Sequence, residues 1–114
     1  MNIRLQVEHS ITEEIIGIDL VKEQINIGNS RKLSVSSETL EILGHSIELR
    51  VYAEDPANDF LPDVGTLITH NVPKGPSVRV DDGFEQGMTL PYQYDPMISK
   101  LSLTAKIGKK PEGE

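Results

Sequence analysis

The chain is organised around one N-terminal stretch, Asn2-Ile3-Arg4-Leu5-Gln6-Val7-Glu8-His9. Its apolar and polar residues alternate without interruption, which predicts a β-strand with one face in a core. The polar face carries Asn2, Arg4, Gln6 and Glu8. An arginine can fork an anion, an amide oxygen can ligate a hard metal ion, and a carboxylate can accept a proton. This set suits an anionic substrate bound together with a metal ion.

The same alternation is also typical of an ordinary antiparallel strand whose outer face is solvated. A straight strand advances about 3.3 Å per residue, which would put Arg4 and Glu8 roughly 13 Å apart. The polar side chains therefore converge on one small ligand only if the chain bends near Gln6 or the long side chains reach inward.

Composition narrows the possible functions. A chain of 114 residues is one small domain or part of a larger one. A hydrophobic content of 37% with 4% aromatic residues predicts a thin core of leucine, isoleucine and valine. A net charge of -7 argues against nucleic-acid and membrane partners, and no apolar run reaches membrane-spanning length. Without cysteine there is no disulfide, thiolate nucleophile or thiolate zinc site.

Two short helices are predicted after the opening strand. Ser10 and Glu13 match a capping box for the first helix, which Gly17 ends. Asp19 is expected to cap a second helix from Leu20 to Ile27.

The second helix is expected to be amphipathic. Val21 and Ile25 would face the core, and Lys22, Glu23 and Gln24 would face water. Gly28 would follow the helix in the left-handed conformation.

The remainder is expected to be mostly antiparallel β-structure, so the fold class is α+β. The clearest strand is Ser46 to Glu54, with Ile47, Leu49, Val51 and Ala53 facing a core. Further strands are predicted at residues 67–69, 77–81 and 97–103, with an extended segment at 87–90.

The sequence lacks the patterns that would indicate other types of functional site. No glycine-rich phosphate loop is present, the histidines lack metal-ligand spacing, and no serine has a nucleophile pattern. Two arginines remain, Arg50 between Glu48 and Tyr52, and Arg79 between two valines. Each of these two arginines either faces solvent or lies near Arg4 and forms an anion site with it.

Several stretches, in order, resemble the biotin carboxylases, a family of ATP-grasp enzymes. They are Met1-Asn2-Ile3-Arg4-Leu5-Gln6-Val7-Glu8-His9, Thr12-Glu13, Gly17-Ile18-Asp19-Leu20-Val21, Gly44-His45-Ser46-Ile47-Glu48-Leu49-Arg50, Ala53-Glu54-Asp55-Pro56, Phe60-Leu61-Pro62, Gly75-Pro76-Ser77-Val78-Arg79-Val80-Asp81 and Tyr94-Asp95-Pro96-Met97-Ile98-Ser99-Lys100-Leu101. The sequence around Tyr52 is most similar to that of carboxylases of the acetyl-CoA or propionyl-CoA type.

The resemblance implies that ATP, Mg²⁺ or Mn²⁺ and bicarbonate are used to carboxylate biotin on a carrier protein. It assigns Asn2 to the metal, Arg4, Gln6 and the backbone of Val7 to bicarbonate, and Glu8 to proton removal from bicarbonate. Arg50 would stabilise the biotin enolate oxyanion. Arg79 would lie near the same anionic intermediates.

The resemblance also implies a division of the chain. Residues 1–43 would end an ATP-grasp domain, residues 44–107 would form a truncated C-terminal subdomain, and residues 108–114 would be a disordered tail. Met1 aligns with an internal position of the family pattern, and the residues after Leu103 no longer match that pattern. We therefore expect a fragment that is marginally stable and shows no bicarbonate-dependent ATP hydrolysis alone.

The implied partners are a second copy in a homodimer, a biotin carboxyl carrier protein or domain, and a carboxyltransferase subunit. The implied location is the cytoplasm, or the mitochondrial matrix in a eukaryote. Two alternatives stay open at this point. One is a non-catalytic folded fragment that pairs with a full-length subunit, and the other is a different ATP-grasp ligase.

Overall fold

Two helices followed by β-strands build this α+β chain in a computed structural model that describes residues 2–105. The elements are α1 (His9–Ile16), α2 (Leu20–Gly28), β1 (His45–Tyr52), β2 (Glu54–Asp55), a 3-10 helix (Pro56–Asn58), β3 (Leu61–Pro62), β4 (Val78–Asp82) and β5 (Met97–Ala105). The chain divides into two compact units. The first contains the residues up to Ile47 and those from Thr104 onward, and the second is Glu48–Leu103. The predicted tail at residues 108–114 lies outside the described residues.

The predicted opening strand is not formed. Residues 2–8 belong to neither sheet, and the chain turns at Val7 and Glu8 before entering α1. A strand needs a neighbouring strand for its backbone hydrogen bonds, and no strand within residues 2–105 pairs with this stretch. Its apolar face is exposed as well, from Val7 at 36% to Ile3 at 96%.

Helix α1 starts earlier than its sequence predicts, because Glu8 rather than Ser10 occupies the N-cap. The expected capping box is therefore wrong, and Ser10 lies fully buried inside the helix. Glu13 instead accepts a hydrogen bond from the backbone N–H of Leu20 at 2.8 Å, which ties α1 to the start of α2. Gly17 ends α1 as predicted, at φ 69°, where a residue without Cβ is favoured.

The start of α2 is confirmed, since the Asp19 carboxylate accepts from the backbone N–H of Lys22 at 2.8 Å. The predicted end is wrong. Gly28 is the last helical residue, and Asn29 caps the helix at φ -86°. The left-handed residue that follows is Ser30, at φ 60°.

The faces of α2 also differ from the prediction. Val21 and Ile25 are exposed, whereas Glu23 is buried. The reason is a tertiary hydrogen bond: Glu23 accepts from the backbone N–H of Ser34 at 3.0 Å. A carboxylate that accepts from a backbone amide can be buried at lower cost than an unpaired one.

Strands β1, β5 and β4, in that order, form a three-stranded sheet, while β2 and β3 pair as a small antiparallel hairpin. The predicted strands at 46–54, 77–81 and 97–103 are thus observed with small changes of boundary. The predicted core face of β1 is wrong, because Ile47, Leu49 and Val51 are all exposed. The Glu48 side chain on the opposite face is 4% exposed.

The predicted strand at 67–69 is reduced to an isolated antiparallel bridge between Thr66 and Thr89. Backbone bonds from Leu67 N to Met88 O and from Leu90 N to Gly65 O extend this contact. Among residues 2–105, Leu90 is the buried hydrophobic residue, at 9% exposure, so the core is even thinner than composition suggests. No helix in this part of the chain is long and apolar enough to cross a membrane.

Candidate functional site

The candidate site residues fall into two groups, one in each unit. Asn2, Arg4, Gln6, Val7 and Glu8 belong to the first unit. Arg50 on β1 and Arg79 on β4 belong to the second.

The first group is shaped by the turn that precedes α1. Gln6 donates from its side-chain amide to the Glu8 carboxylate at 3.0 Å. The carbonyl of Gln6 accepts two hydrogen bonds from His9, one from the backbone N–H at 3.1 Å and one from Nδ1 at 2.8 Å. This turn supplies a bend near Gln6, which a straight strand would lack.

A cavity of about 250 Å³ lies against this turn. Arg4, Gln6 and Glu8 contribute polar groups to its lining, and Ile27 and Leu33 contribute apolar ones. The cavity thus combines a fixed cation, an amide and a carboxylate. Those groups can hold a small oxyanion and accept a proton from it.

Arg4 is exposed, and within residues 2–105 its guanidinium forms no ion pair or side-chain hydrogen bond. An arginine without a protein partner keeps all its donors available for an anion. Asn2 is exposed at the start of the same stretch.

The described residues do not form a complete magnesium site. Residues 2–105 contain no group of three histidine or acidic side chains placed to hold a metal ion. Asn2 would contribute a single amide oxygen, and Mg²⁺ binds protein through carboxylates and keeps several waters. We therefore assign no chemical step to a metal ion held by this chain.

Glu23 borders the same cavity as Arg4 and Glu8 but was expected to face water. Its hydrogen bond from the backbone of Ser34 lowers the pKa of its carboxyl below the ordinary value. The carboxylate therefore stays charged while it ties Leu33 and Ser34 to α2. Sequence contained no signal for this contact, because Glu23 and Ser34 are eleven residues apart.

In the second unit, Arg50 donates from Nε to the Glu48 carboxylate at 3.2 Å. Hydrogen bonding with Tyr52, and then with Glu48, raises the pKa of the Arg50 guanidinium above its ordinary value. The spacing of these residues at i±2 already put them on one face of a strand. Sequence thus indicated this cluster, although it did not indicate that Glu48 is buried.

Arg79 has an equivalent partner on β4, since its Nε lies 3.2 Å from the Asp81 carboxylate. Lys100 on β5 approaches the same carboxylate, with Nζ 3.8 Å from Oδ2. The Lys100 side chain is only 9% exposed. Sequence reasoning missed both Asp81 and Lys100, because their proximity depends on which residues are opposite each other in the sheet.

Comparison with known protein families gives two matches. The family model described as the biotin carboxylase C-terminal domain matches residues 48–110. The model described as the carbamoyl-phosphate synthase L chain, ATP binding domain, matches residues 1–36.

Similar proteins include the mitochondrial methylcrotonoyl-CoA carboxylase α-subunit of Mus musculus, which is 45% identical over 106 residues. That match covers 92% of this chain and 15% of the mouse protein. A pyruvate carboxylase subunit of Methanothermobacter thermautotrophicus is 48% identical, with coverage of 89% and 21% respectively.

A similar solved structure is the biotin carboxylase domain dimer of the Hydrogenobacter thermophilus 2-oxoglutarate carboxylase, in complex with MgADP, ADP and bicarbonate. It is 42% identical, with a TM-score of 0.88, and the match covers 92% of this chain and 23% of that one. The chain therefore spans about a fifth or less of the length of the two curated relatives.

Proposed function

The chain belongs to the biotin carboxylase C-terminal domain family, and we propose that it carries the bicarbonate-side and biotin-side residues of an ATP-dependent biotin carboxylase. One observation supports this proposal most directly. Arg4, whose guanidinium has no partner among residues 2–105, borders the same cavity as the hydrogen-bonded Gln6 and Glu8. A fixed cation beside an amide and a carboxylate suits a small, acidic oxyanion.

In the proposed reaction, Arg4, Gln6 and the backbone of Val7 bind bicarbonate. Glu8 accepts the proton from bicarbonate. An oxygen atom of the bicarbonate then attacks the γ-phosphate of ATP, which releases ADP and gives carboxyphosphate. That intermediate breaks down to CO₂ and phosphate, and the phosphate takes the proton from the ureido nitrogen of biotin. These roles place a fixed cation and a general base where charge and protons move.

Arg50 is proposed to lie beside the ureido oxygen of biotin and to stabilise the negative charge that develops there. Its contacts to Tyr52 and Glu48 restrict its orientation. Arg79 is proposed to bind the same anionic species. Asn2 would supply an oxygen ligand to Mg²⁺ or Mn²⁺.

The proposed partners are a second copy of the chain, a biotin carboxyl carrier protein or domain, and a carboxyltransferase subunit. Two relatives are named as carboxylase subunits, and a similar solved structure is named as a biotin carboxylase domain dimer, which supports this proposal. We propose a cytoplasmic location, or the mitochondrial matrix in a eukaryote. The acetyl-CoA or propionyl-CoA type stays a prediction, as does the division at residues 43 and 44.

The bicarbonate assignment can be tested by titrating the isotope-labelled 114-residue chain with bicarbonate at constant pH and ionic strength and following backbone amide signals by NMR. We expect shifts at residues 4–8 with a dissociation constant in the millimolar range, equivalent to about -4 kcal/mol. Arg4→Gln should abolish them. The matched control is Arg31→Gln, an exposed arginine on the same unit whose guanidinium contacts Asn26.

Retention of the shifts in Arg4→Gln, or their loss in Arg31→Gln, would contradict the assignment. An equal concentration of chloride separates specific binding from general screening, because chloride cannot accept bidentate hydrogen bonds as bicarbonate does.

A second candidate, a non-catalytic interaction fragment, is favoured by a different observation. Ile47, Leu49 and Val51 form an exposed apolar row on β1, at the edge of the sheet. Such rows are typical of surfaces that bind another protein. Co-purification of the chain with a full-length biotin carboxylase would favour this candidate, and a strictly monomeric chain would count against it.

A further inference from the structure

Five charged side chains share one face of the three-stranded sheet. Strand β4 pairs with β5 so that Arg79 is opposite Ser102 and Asp81 is opposite Lys100. Residues directly opposite each other on paired strands present their side chains on the same face. Arg79, Asp81 and Lys100 therefore lie on one side of the sheet.

Strand β1 contributes the other two charges to this face. The hydroxyl groups of Ser46 and Thr104 lie 3.4 Å apart, so these two side chains share a face of β1 and β5. Because side chains alternate along a strand, Glu48 and Arg50 are on the same face as Ser46, and Lys100 is on the same face as Thr104. We name Glu48, Arg50, Arg79, Asp81 and Lys100 the charged face.

The two arginines of the charged face are held in the same way. Each donates its Nε–H to a carboxylate two residues away on its own strand, Arg50 to Glu48 and Arg79 to Asp81, at 3.2 Å in both cases. A carboxylate at Nε fixes the plane of the guanidinium, whose rigid geometry then sets the direction of its other donors.

Burial shows that Glu48 is not an ordinary surface partner. Its side chain is 4% exposed, while that of Arg50 is 39% exposed. Burying a carboxylate is costly unless it is paired, and an apolar residue at this position would avoid that cost. A buried carboxylate beside a partly exposed arginine is therefore suited to orienting the arginine toward solvent or a ligand.

Asp81 is placed between two cations, with its Oδ2 3.2 Å from Arg79 Nε and 3.8 Å from Lys100 Nζ. This buried Oδ2 accepts no hydrogen bond from residues 2–105. The Lys100 ammonium is attracted to this carboxylate and helps to hold it beside Arg79. The charged face thus places three cations beside two carboxylates on one side of the sheet. Guanidinium groups are suited to binding anionic groups.

We propose that Glu48 and Asp81 are positioning residues that orient Arg50 and Arg79 toward an anionic ligand, and that Lys100 supports Asp81. The identity of the ligand as biotin or bicarbonate rests on the proposed function. The orientation of the guanidinium groups does not, and it can be measured separately.

The orientation is tested by NMR of the arginine Nε–H groups in the full 114-residue chain. Glu48→Gln should shift the Arg50 signal and speed its exchange with water. The matched control, Glu54→Gln, changes an exposed carboxylate on β2 and should leave that signal unchanged. An Arg50 signal that is unchanged in Glu48→Gln, with far-UV circular dichroism also unchanged, overturns the role of Glu48.

The same measurement applies to β4. Asp81→Asn should shift the Arg79 signal, and Lys100→Met should shift it in the same direction by a smaller amount. The control is Asp82→Asn, whose carboxylate contacts His70 at 3.2 Å and belongs to the next position of the strand. An Arg79 signal that responds to Asp82→Asn as strongly as to Asp81→Asn overturns the role of Asp81.

A binding cycle separates positioning from a general structural effect. Biotin is the probe, and its affinity is measured for the wild type, Glu48→Gln, Arg50→Gln and the double variant. We expect Glu48→Gln to weaken binding roughly tenfold, and to have no further effect once Arg50 is replaced. Additive effects would overturn positioning. Absence of binding to the wild-type chain would overturn the proposed function, while the Nε–H signals would still decide the proposal about orientation.

Discussion

Leu90→Ala is the substitution that tests most directly how little apolar packing stabilises this chain. Leu90 is 9% exposed and is the buried hydrophobic residue among those described. The change removes three carbon atoms, and at about 0.8 kcal/mol per buried carbon the transfer cost is about 2 kcal/mol. A cavity raises the cost of such changes toward the upper part of the usual range of about 2–5 kcal/mol. We expect about 2–3 kcal/mol, because thinly packed surroundings can partly collapse.

The assay follows tyrosine fluorescence during thermal denaturation. The chain has no tryptophan, and its three tyrosines, Tyr52, Tyr92 and Tyr94, all belong to the second unit, which also contains Leu90. The fluorescence change therefore reports on the unit in which the substitution is made. A loss of this size should lower the thermal midpoint by roughly 10–15 °C for a unit of this size.

The matched control is Leu61→Ala, the same chemical change at a residue that is 58% exposed in the same unit. By the same reasoning it should cost about 1 kcal/mol or less, without a cavity contribution. Equal destabilisation by the two substitutions would refute the reasoning, since burial is the property that distinguishes them.

Three further predictions concern the first unit. Asp19→Ala should cost about 1 kcal/mol, because it removes the N-cap of α2, and amide exchange within α2 measures the loss. Gly17→Ala should cost about 1 kcal/mol, and Gly17→Asn less, because φ is 69° and a Cβ would meet no neighbouring atom; thermal denaturation compares the two. The Glu23 pKa is lowered in the folded chain, so its stabilising contribution is fully present above the unfolded pKa of about 4.3 and is lost as pH falls through the lower folded value. Amide exchange at Ser34 should follow this pH dependence, and Glu23→Gln should remove it.

Sequence predicted those features that depend on residues close together in the chain. The Asp19 cap joins a side chain to a backbone group three residues later. Gly17 ends α1 because its own backbone adopts the left-handed conformation, at φ 69°. The i±2 relation of Glu48 and Arg50 is likewise a property of a single strand. Such features need no knowledge of the tertiary structure.

Several of the predictions that were wrong required a neighbour that is distant in sequence. The opening stretch alternates like a strand, but alternation cannot supply a strand to pair with. Glu23 was expected to face water because nothing in a helical pattern indicates the backbone of Ser34. The contact of Lys100 with Asp81 depends on the pairing of β4 with β5.

The faces of β1 show why patterning alone misjudged the candidate site. The rule that apolar residues face inward predicts Leu49 in the core and Glu48 in solvent, yet the Glu48 side chain is 4% exposed and Leu49 is 52% exposed. Hydrophobic burial cannot favour this arrangement, so the charged groups must compensate for their own desolvation through ion pairs and hydrogen bonds. Charge-assisted contacts of this kind depend on the charge and the precise direction of both partners, whereas apolar packing depends on contact area and shape. The orientation of the Arg50 and Arg79 guanidinium groups should therefore respond to substitution of Glu48 or Asp81. It should be insensitive to truncation of the exposed apolar row of β1, which is Ile47, Leu49 and Val51.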